Sequence, residues 1–356
     1  LYTKFLAGQG LERAFRKPPP MLLDGDPTTT QDADRRAWRD AHIQPLWENP
    51  VAHSGAPPAA EGTLWPWRTM KPLVDRATVL ATPAVAERRV LSMIHPKAKP
   101  GEYHTITNFN AGLQVILPGE VARPHRHSMD ALRFVLDGSG AATRVHGKVA
   151  PMSRGDLVLT PAWCWHEHWH DGDAPIVWLD VLNVHTHEFL ETLKFEPGPV
   201  HDVPDLPDDA SFAFANMVPD LPPSRAYSPV FRYPLDAAQR AVEAAPHSAD
   251  GTQRVRYVNP LSGGPVLPYL DCWLIKIAAG TTTVPFRTNA HAVCTVVEGS
   301  GETRIGAQTL AWERNDVFTL PHDVPIVHAA QTDTLIFLVS DRELYRRLDL
   351  LEETYS

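Results

Sequence analysis

PGEVARPHRHSMDALRFVLDGSG, residues 118–140, reads as β-forming residues closed by turn residues, and a second copy of the pattern lies further along the chain. AGTTTVPFRTNAHAVCTVVEGSG, residues 279–301, aligns with it without a gap. RGDLVLTPAWCWHEH (154–168) likewise sits against RNDVFTLPHDVPIVH (314–328). Two copies of one β unit, roughly 90 to 100 residues each, make an internal repeat.

The rest of the chain fits around that repeat. RRVLSMI, HTITNF, GLQVILPG, ALRFVLDG, ATRVHG, GDLVLTP and IVWLDVLNV are short runs of β-formers bounded by Gly, Pro or Asp, the pattern of an antiparallel sandwich or barrel. A run rich in proline and acidic residues follows, then VRYVNP, CWLIKIAAG, AVCTVVEGSG, ETRIG, NDVFTLP, IVHAA and TLIFLVS. The expected fold class is all-β, divided into an N-terminal arm (1–84), a first β unit (85–190), a linker with one helix (191–250) and a second β unit (251–356). In the arm, DADRRAWRDAHIQPLWE (32–48) has the spacing of a short amphipathic helix.

Composition narrows the function. The 356 residues carry a net charge of −9, which gives no electrostatic reason to bind nucleic acid or an anionic membrane. No apolar run is long enough to span a bilayer. Three scattered cysteines make no disulfide framework and fit a reducing compartment. The opening LYTKFLAGQG lacks a signal-peptide core, so a cytoplasmic location is expected.

The chemistry concentrates in the first copy. His125 and His127 are two residues apart on what reads as one short strand, so both rings leave the same face. His166 and His168 repeat that spacing after the SRGD turn. Three imidazoles converging from two strands would hold an ion at about 2.0 to 2.2 Å and leave its other side open. Imidazole suits zinc, iron, copper and nickel alike. The second copy acts as an internal control: His125, His127 and His166 become Phe286, Thr288 and Ile326, and only His168 keeps a counterpart, His328. The β scaffold therefore does not require the triad.

Neighbouring residues extend the site. Arg133 shares parity with the two histidines, and no acidic residue of matching parity stands near it on that strand, so a substrate carboxylate is its expected partner. Arg89 is a second candidate for the same role. Asn110, Gly112 and Gln114 share one face, with the glycine opening a slot for a flat ring. Asp180 is placed to orient a ligand histidine through its second ring nitrogen.

HIQPLWE, LWPWRTMKPL, AERRVL, AGLQVILPGE, HRHSMDALRFVLDGSG, RGDLVLTPAWCWHEHWHD and IVWLDVLN together resemble the cupin superfamily, and within it the two-cupin gentisate and salicylate 1,2-dioxygenases. The resemblance implies a bicupin, two antiparallel β-barrels (double-stranded β-helices) behind an N-terminal helical arm. It implies one Fe(II) per subunit held by His125, His127 and His166, with the second cupin structural and the protein a homotetramer. The glutamate that many cupins carry four or five residues after the HxH pair is absent; Ala131 and Leu132 stand there. Arg133 and Arg89 look like a grip on the substrate carboxylate, His168 like a hydrogen-bonding partner of substrate or oxygen, and Gln114 and Asp180 like supporting residues. The implied reaction uses O2 to cut a small aromatic acid between its carboxylated and hydroxylated ring carbons.

Departures from the family pattern bear on the substrate. Gentisate enzymes tend to carry a polar residue where Leu91 stands and an aromatic one where Asn110 stands. Trp169 replaces the glycine of the family's HxHG, and Asn183 the last aspartate of its LDxLD; both are expected to reshape the pocket mouth. These differences favour a salicylate that does not rely on a 5-hydroxyl, such as a nitro- or halosalicylate, or 1-hydroxy-2-naphthoate; gentisate itself is the alternative. A non-catalytic bicupin binding protein is the reading from another class, and one intact triad beside one blank copy weighs against it.

Overall fold

The computed structural model describes residues 36, 40–42, 61–81, 88–99, 101–214, 217–220 and 226–356. The helix expected over 32–48 falls largely outside them, although Arg36 and Asp40 are helical. Residues 1–58 form one unit, and Ala59–Ser356, with both repeats, form another.

Each repeat folds into two antiparallel sheets. In the first, a six-stranded sheet runs in the order Arg232–Tyr233, Leu157–Thr160, Ala131–Asp137, Ile176–Leu182, Asn110–Ile116, Arg89–Met93. Facing it is a five-stranded sheet of Phe195–Pro197, Val121–His127, His166–His170, Ser139–Val145 and Lys148–Ser153. The second repeat has the same six-plus-five arrangement, with Ala292–Glu298 and Thr334–Ser340 central in its larger sheet.

Burial patterns explain how these sheets stack. Ala131–Asp137 (ALRFVLD) and Thr334–Ser340 (TLIFLVS) are buried on both faces, so they read as near-continuous apolar runs. One face closes its own repeat: Ile116, Val135, Val158, Ile176 and Trp178 pack against Ala141, Ala150 and Met152. The other face belongs to a core shared by the repeats, in which Leu132, Phe134, Leu179 and Val181 join Val293, Leu335, Phe337 and Val339. Phe134 and Phe337 stack there with centroids 4.1 Å apart. The outer five-stranded sheets have only one dry face and alternate, as in His166–His170 and Lys148–Ser153.

Several expectations change. HTITNF is not a strand: Phe109 N–H donates to Ile106 carbonyl at 2.8 Å, closing a turn whose Ile106 and Phe109 are buried while Asn108 reaches Asp341. The stretch read as a linker contributes an edge strand to each sheet of the first repeat, Phe195–Pro197 beside Val121–His127 and Arg232–Tyr233 beside Leu157–Thr160. Its expected helix is Leu235–Ala244. Residues assigned to the arm give the larger sheet of the second repeat an edge strand, since Leu64–Trp65 pairs with Val317–Leu320. The two repeats are thus parts of one body built on a common core, each a pair of facing antiparallel sheets. No described helix is long and apolar enough to cross a membrane.

Candidate metal centre

The strand expected to carry His125, His127 and Arg133 together is two strands. Val121–His127 ends at the 128–130 corner, and Ala131–Asp137 continues in the opposite sheet. Asp130 holds that corner: its carboxylate accepts from Ala162 N–H at 2.9 Å, and Asn183 Oδ1 accepts its backbone N–H at 2.9 Å. Arg133 still faces the histidines, across the space between sheets.

His125 pairs with His166 in register, which sets the two rings side by side with centroids 4.4 Å apart. His127 lies 4.9 Å from His166 and 5.5 Å from His125, centroid to centroid. One ligand-capable atom from each of the three lies within 4.8 Å of the others, and all three residues are buried. Two of the rings have their tautomer fixed by main chain: His127 Nδ1–H donates to Met129 carbonyl and His166 Nδ1–H to Cys164 carbonyl, both at 2.9 Å. Each Nε2 then carries the lone pair, and that of His166 is buried with no partner among the described residues.

Burial also sets the charge. It pushes the His125 pKa down to about 2 and that of His127 to about 4, with the Arg88 and Arg133 guanidiniums adding to the effect. His166 and His168 are held well below the ordinary histidine range, burial again dominating. Neutral rings are the donors a divalent cation needs, so this donor set fits a metal. His168 is fully buried, its Nδ1 meets Thr143 Oγ1 at 2.8 Å, and its Nε2 has no partner among the described residues.

The other expected residues divide by strand parity. Asn110, Gly112 and Gln114 pair with Leu182, Asp180 and Trp178 on the face toward the histidines. Gly112 opens no slot, because a Cβ there would meet Val90 Cγ1 at 2.8 Å; the missing side chain admits its neighbour. Asn110 Nδ2 donates to Tyr103 carbonyl at 2.7 Å. Asp180 does not orient a ligand ring, since backbone carbonyls do so for His127 and His166. It lies opposite Arg133, with Oδ1 3.3 Å from Nε, an ion pair without hydrogen-bond alignment. Arg133 therefore has a carboxylate partner within the fold, and its Nη1 also donates to Thr160 Oγ1 at 2.8 Å. Burial lowers the Arg133 pKa and raises that of Asp180 to about 6 despite the guanidinium beside it.

Arg89, Leu91 and Trp169 point elsewhere. Arg89 pairs with Val115 and Leu91 with Leu113, residues of the shared core, and cross-strand partners share a face. The Arg89 guanidinium is bound by both carboxylate oxygens of Glu120 and by Ala81 carbonyl. Trp169 sits on the outer face of its strand, where Arg144 lies 4.9 Å from its ring centroid and its indole N–H donates to Asp171. The face toward the triad instead receives Arg88 and Val90: Val90 pairs with Gln114, and the Arg88 charge acts on His125, His127, His168 and Asp180. Arg88 Nη2 donates to Arg123 carbonyl at 2.8 Å. Sequence reasoning missed Arg88, Thr143 and Phe195, whose ring lies 4.9 Å from His125. The Thr-Arg dipeptide shared by ATRVHG and ETRIG was the available signal for Thr143.

These facing sheets around three inward histidines define a cupin, and residues 112–182 match the Cupin domain family. The chain is 36% identical over 323 residues to gentisate 1,2-dioxygenase 1 of Aquipseudomonas alcaligenes, covering 88% of this chain and 92% of that one. It is 32% identical to a 1-hydroxy-2-naphthoate 1,2-dioxygenase of Nocardioides sp., covering 83% and 79%. The crystal structure of salicylate 1,2-dioxygenase from Pseudaminobacter salicylatoxidans superposes with a TM-score of 0.85 at 30% identity, over 94% of this chain and 99% of that one. The chain belongs to the family of gentisate- and salicylate-type ring-cleaving 1,2-dioxygenases.

Proposed function

We propose that this enzyme uses iron(II), held by His125, His127 and His166, to cleave a salicylate-type acid between its carboxylated and hydroxylated ring carbons with O2. The observation that carries this reading is the triad itself: three buried, neutral imidazoles meet in the first repeat, while the same positions in the second hold Phe286, Thr288 and Ile326. Iron(II), when bound, supplies the redox-active centre through which O2 and the aromatic ring exchange electrons.

The chain's own residues handle binding and orientation. Arg88 and Arg133 make the space beside the triad positive, which favours a carboxylate. Asp180 and Thr160 hold Arg133 in place, so the guanidinium positions the substrate without reorganising when it arrives. His168, fixed through Thr143, offers Nε2 as a hydrogen-bonding atom to the bound acid or to oxygen. Gln114 lies on the same interior face and supports the pocket. Sheets packed on both sides keep bulk water away.

Val90 and Gly112 offer no polar side chain along that wall, and the Asn110 amide nitrogen is already committed. That favours an acid that does not depend on a 5-hydroxyl, whether unsubstituted, nitro- or halo-substituted, or a hydroxynaphthoate. Gentisate is the second reading, favoured by the 36% identity to a gentisate enzyme. Anaerobic loading with Fe(II), followed by oxygen-uptake measurements on salicylate, 5-nitrosalicylate, 1-hydroxy-2-naphthoate and gentisate, tests both. Gentisate turned over far faster than the rest selects the second reading; bound iron with no uptake on any acid defeats the proposal. We expect His127→Ala to lose both bound iron, read by elemental analysis, and turnover. A homotetrameric assembly belongs to the same proposal and is read by sedimentation.

A further inference from the structure

A cavity of about 250 Å³ lies in the second repeat, in the space that corresponds to the triad of the first. Phe286, Thr288, Ile326 and His328, aligned with His125, His127, His166 and His168, all line it. The rest of the machinery has become apolar. Strand register places Cys294 and Leu338 opposite one another where the first repeat has Arg133 and Asp180. Trp273 and Ile275 occupy the places of Gly112 and Gln114, and Leu320 that of Thr160. Below the cavity the repeat is well packed, with Trp312, Phe318, Ile305 and Ile336 in one core. The space is therefore a feature of this end of the repeat and not of loose packing throughout it.

One imidazole, that of His328, remains inside, and its hydrogen-bonding role is fixed. Trp312 Nε1–H, which can only donate, gives its proton to Thr303 Oγ1 at 2.8 Å. Thr303 is fully buried, and among the described residues its hydroxyl has one acceptor, His328 Nδ1 at 2.8 Å. Were His328 Nδ1 the donor instead, the Thr303 proton would be buried with no acceptor. The Trp312–Thr303–His328 chain thus selects the tautomer with the proton on Nε2. In the first repeat Met152 replaces Trp312 and donates nothing to Thr143, so this relay belongs to the second repeat alone. The ring stays uncharged, its pKa held at about 4 by burial and by Arg254. The two guanidiniums lining the cavity are neutralised in place, Arg254 by Asp250 and Arg342 by two bonds to Glu353 at 2.9 and 2.7 Å.

We propose that the second repeat is a binding chamber for an uncharged, single-ring apolar molecule bearing a carbonyl or phenolic oxygen, which accepts a hydrogen bond from His328 Nε2. The apolar part of the wall, with Trp273, Ile275, Phe286, Leu320, Ile326 and Leu338, supplies the driving force, and the fixed His328 donor supplies orientation. The volume suffices: roughly 150 Å³ of apolar cavity holds a benzene ring. Among the described residues both lining cations are already paired, so a carboxylate entering the chamber would lack a free one to meet.

Ligand-observed NMR on the metal-loaded full-length enzyme tests this with acetophenone, and with ethylbenzene as a probe of similar shape lacking the acceptor. Acetophenone should bind saturably and about five- to tenfold more tightly than ethylbenzene, the effect of one neutral hydrogen bond. Excess salicylate should not displace it. His328→Phe should abolish the preference, and Ala292→Phe, at a residue that lines the chamber, should block both probes by filling it while salicylate turnover continues. Equal affinities for the two probes in the unmodified enzyme, displacement by salicylate, or no saturable binding up to the solubility limit would each overturn the proposal. The unmodified-enzyme comparison does so even where a variant fails to fold.

Discussion

Adjacent arginines at 88 and 89 have opposite fates because one residue of strand offset moves a side chain to the other face. Arg88 faces the histidines, whereas Arg89 is locked to Glu120 on the far side. Arg88→Ala should therefore raise KM for the aromatic acid and lower kcat/KM with little change in melting temperature. Arg89→Ala should leave kcat/KM near wild type and cost about 1.5 to 3 kcal/mol in denaturant unfolding, the worth of charge-assisted hydrogen bonds. The reverse pattern would return the carboxylate grip to Arg89. His328 gives a pH prediction. Its pKa is depressed in the fold to about 4 against the ordinary 6.5, so its contribution is complete above pH 6.5. As pH falls from 6.5 through 4, the unfolded chain takes up a proton that the folded one refuses, and stability is lost. His328→Phe should remove up to about 1.4 kcal/mol per pH unit of that slope. Chemical denaturation at pH 7, 6 and 5 measures it, and parallel slopes for both proteins would count against a buried neutral ring.

Elements decide where those residues point. Arg89–Met93 pairs with Asn110–Ile116, and Ile176–Leu182 lies on the other side, so Val90, Gln114 and Trp178 form one cross-strand row and Ser92, Gly112 and Asp180 the next. Gly112→Ala puts a methyl 2.8 Å from Val90 Cγ1 and 3.1 Å from Leu91 carbonyl. The strands must then part or Val90 must rotate toward the pocket, at about 1 to 3 kcal/mol. Raised KM together with a lower melting temperature is expected, and an unchanged KM would place Val90 outside the substrate wall. Strand existence was well marked in the sequence, because VILPG, RFVLDG and their copies alternate or run apolar between clear turns. Strand face was not so well marked. RRVLSM is apolar enough on both sides that its inward residues emerge only once Val115 is seen packing into the shared core. HTITNF shows the complementary failure: Thr105, Ile106 and Phe109 are buried as β-formers should be, but through a tight turn.

At the scale of the molecule, the two repeats are bound back to back through sheets that are dry on both sides. A core shared in this way predicts cooperative unfolding of the two together. Phe337→Ala, which removes one ring of the Phe134–Phe337 stack, should cost about 3 to 5 kcal/mol and lower a single calorimetric transition. Two separate transitions, one of them unmoved, would show that the repeats fold independently. The same stacking explains why segments read as arm and linker carry strands: Leu64–Trp65 and Arg232–Tyr233 extend the large sheets, and Phe195–Pro197 covers the edge beside His127.

By itself the sequence determined the repeat, the all-β character and the histidines that differ between copies, because side-chain period and a point-by-point internal comparison are local properties of the chain. Tertiary structure alone decided that Arg133 meets Asp180, that Arg88 and not Arg89 faces the triad, and that the second copy keeps a hollow with one oriented donor. Each of these depends on which residue lies across a neighbouring strand or an opposing sheet, and that register is set by the packing of distant segments.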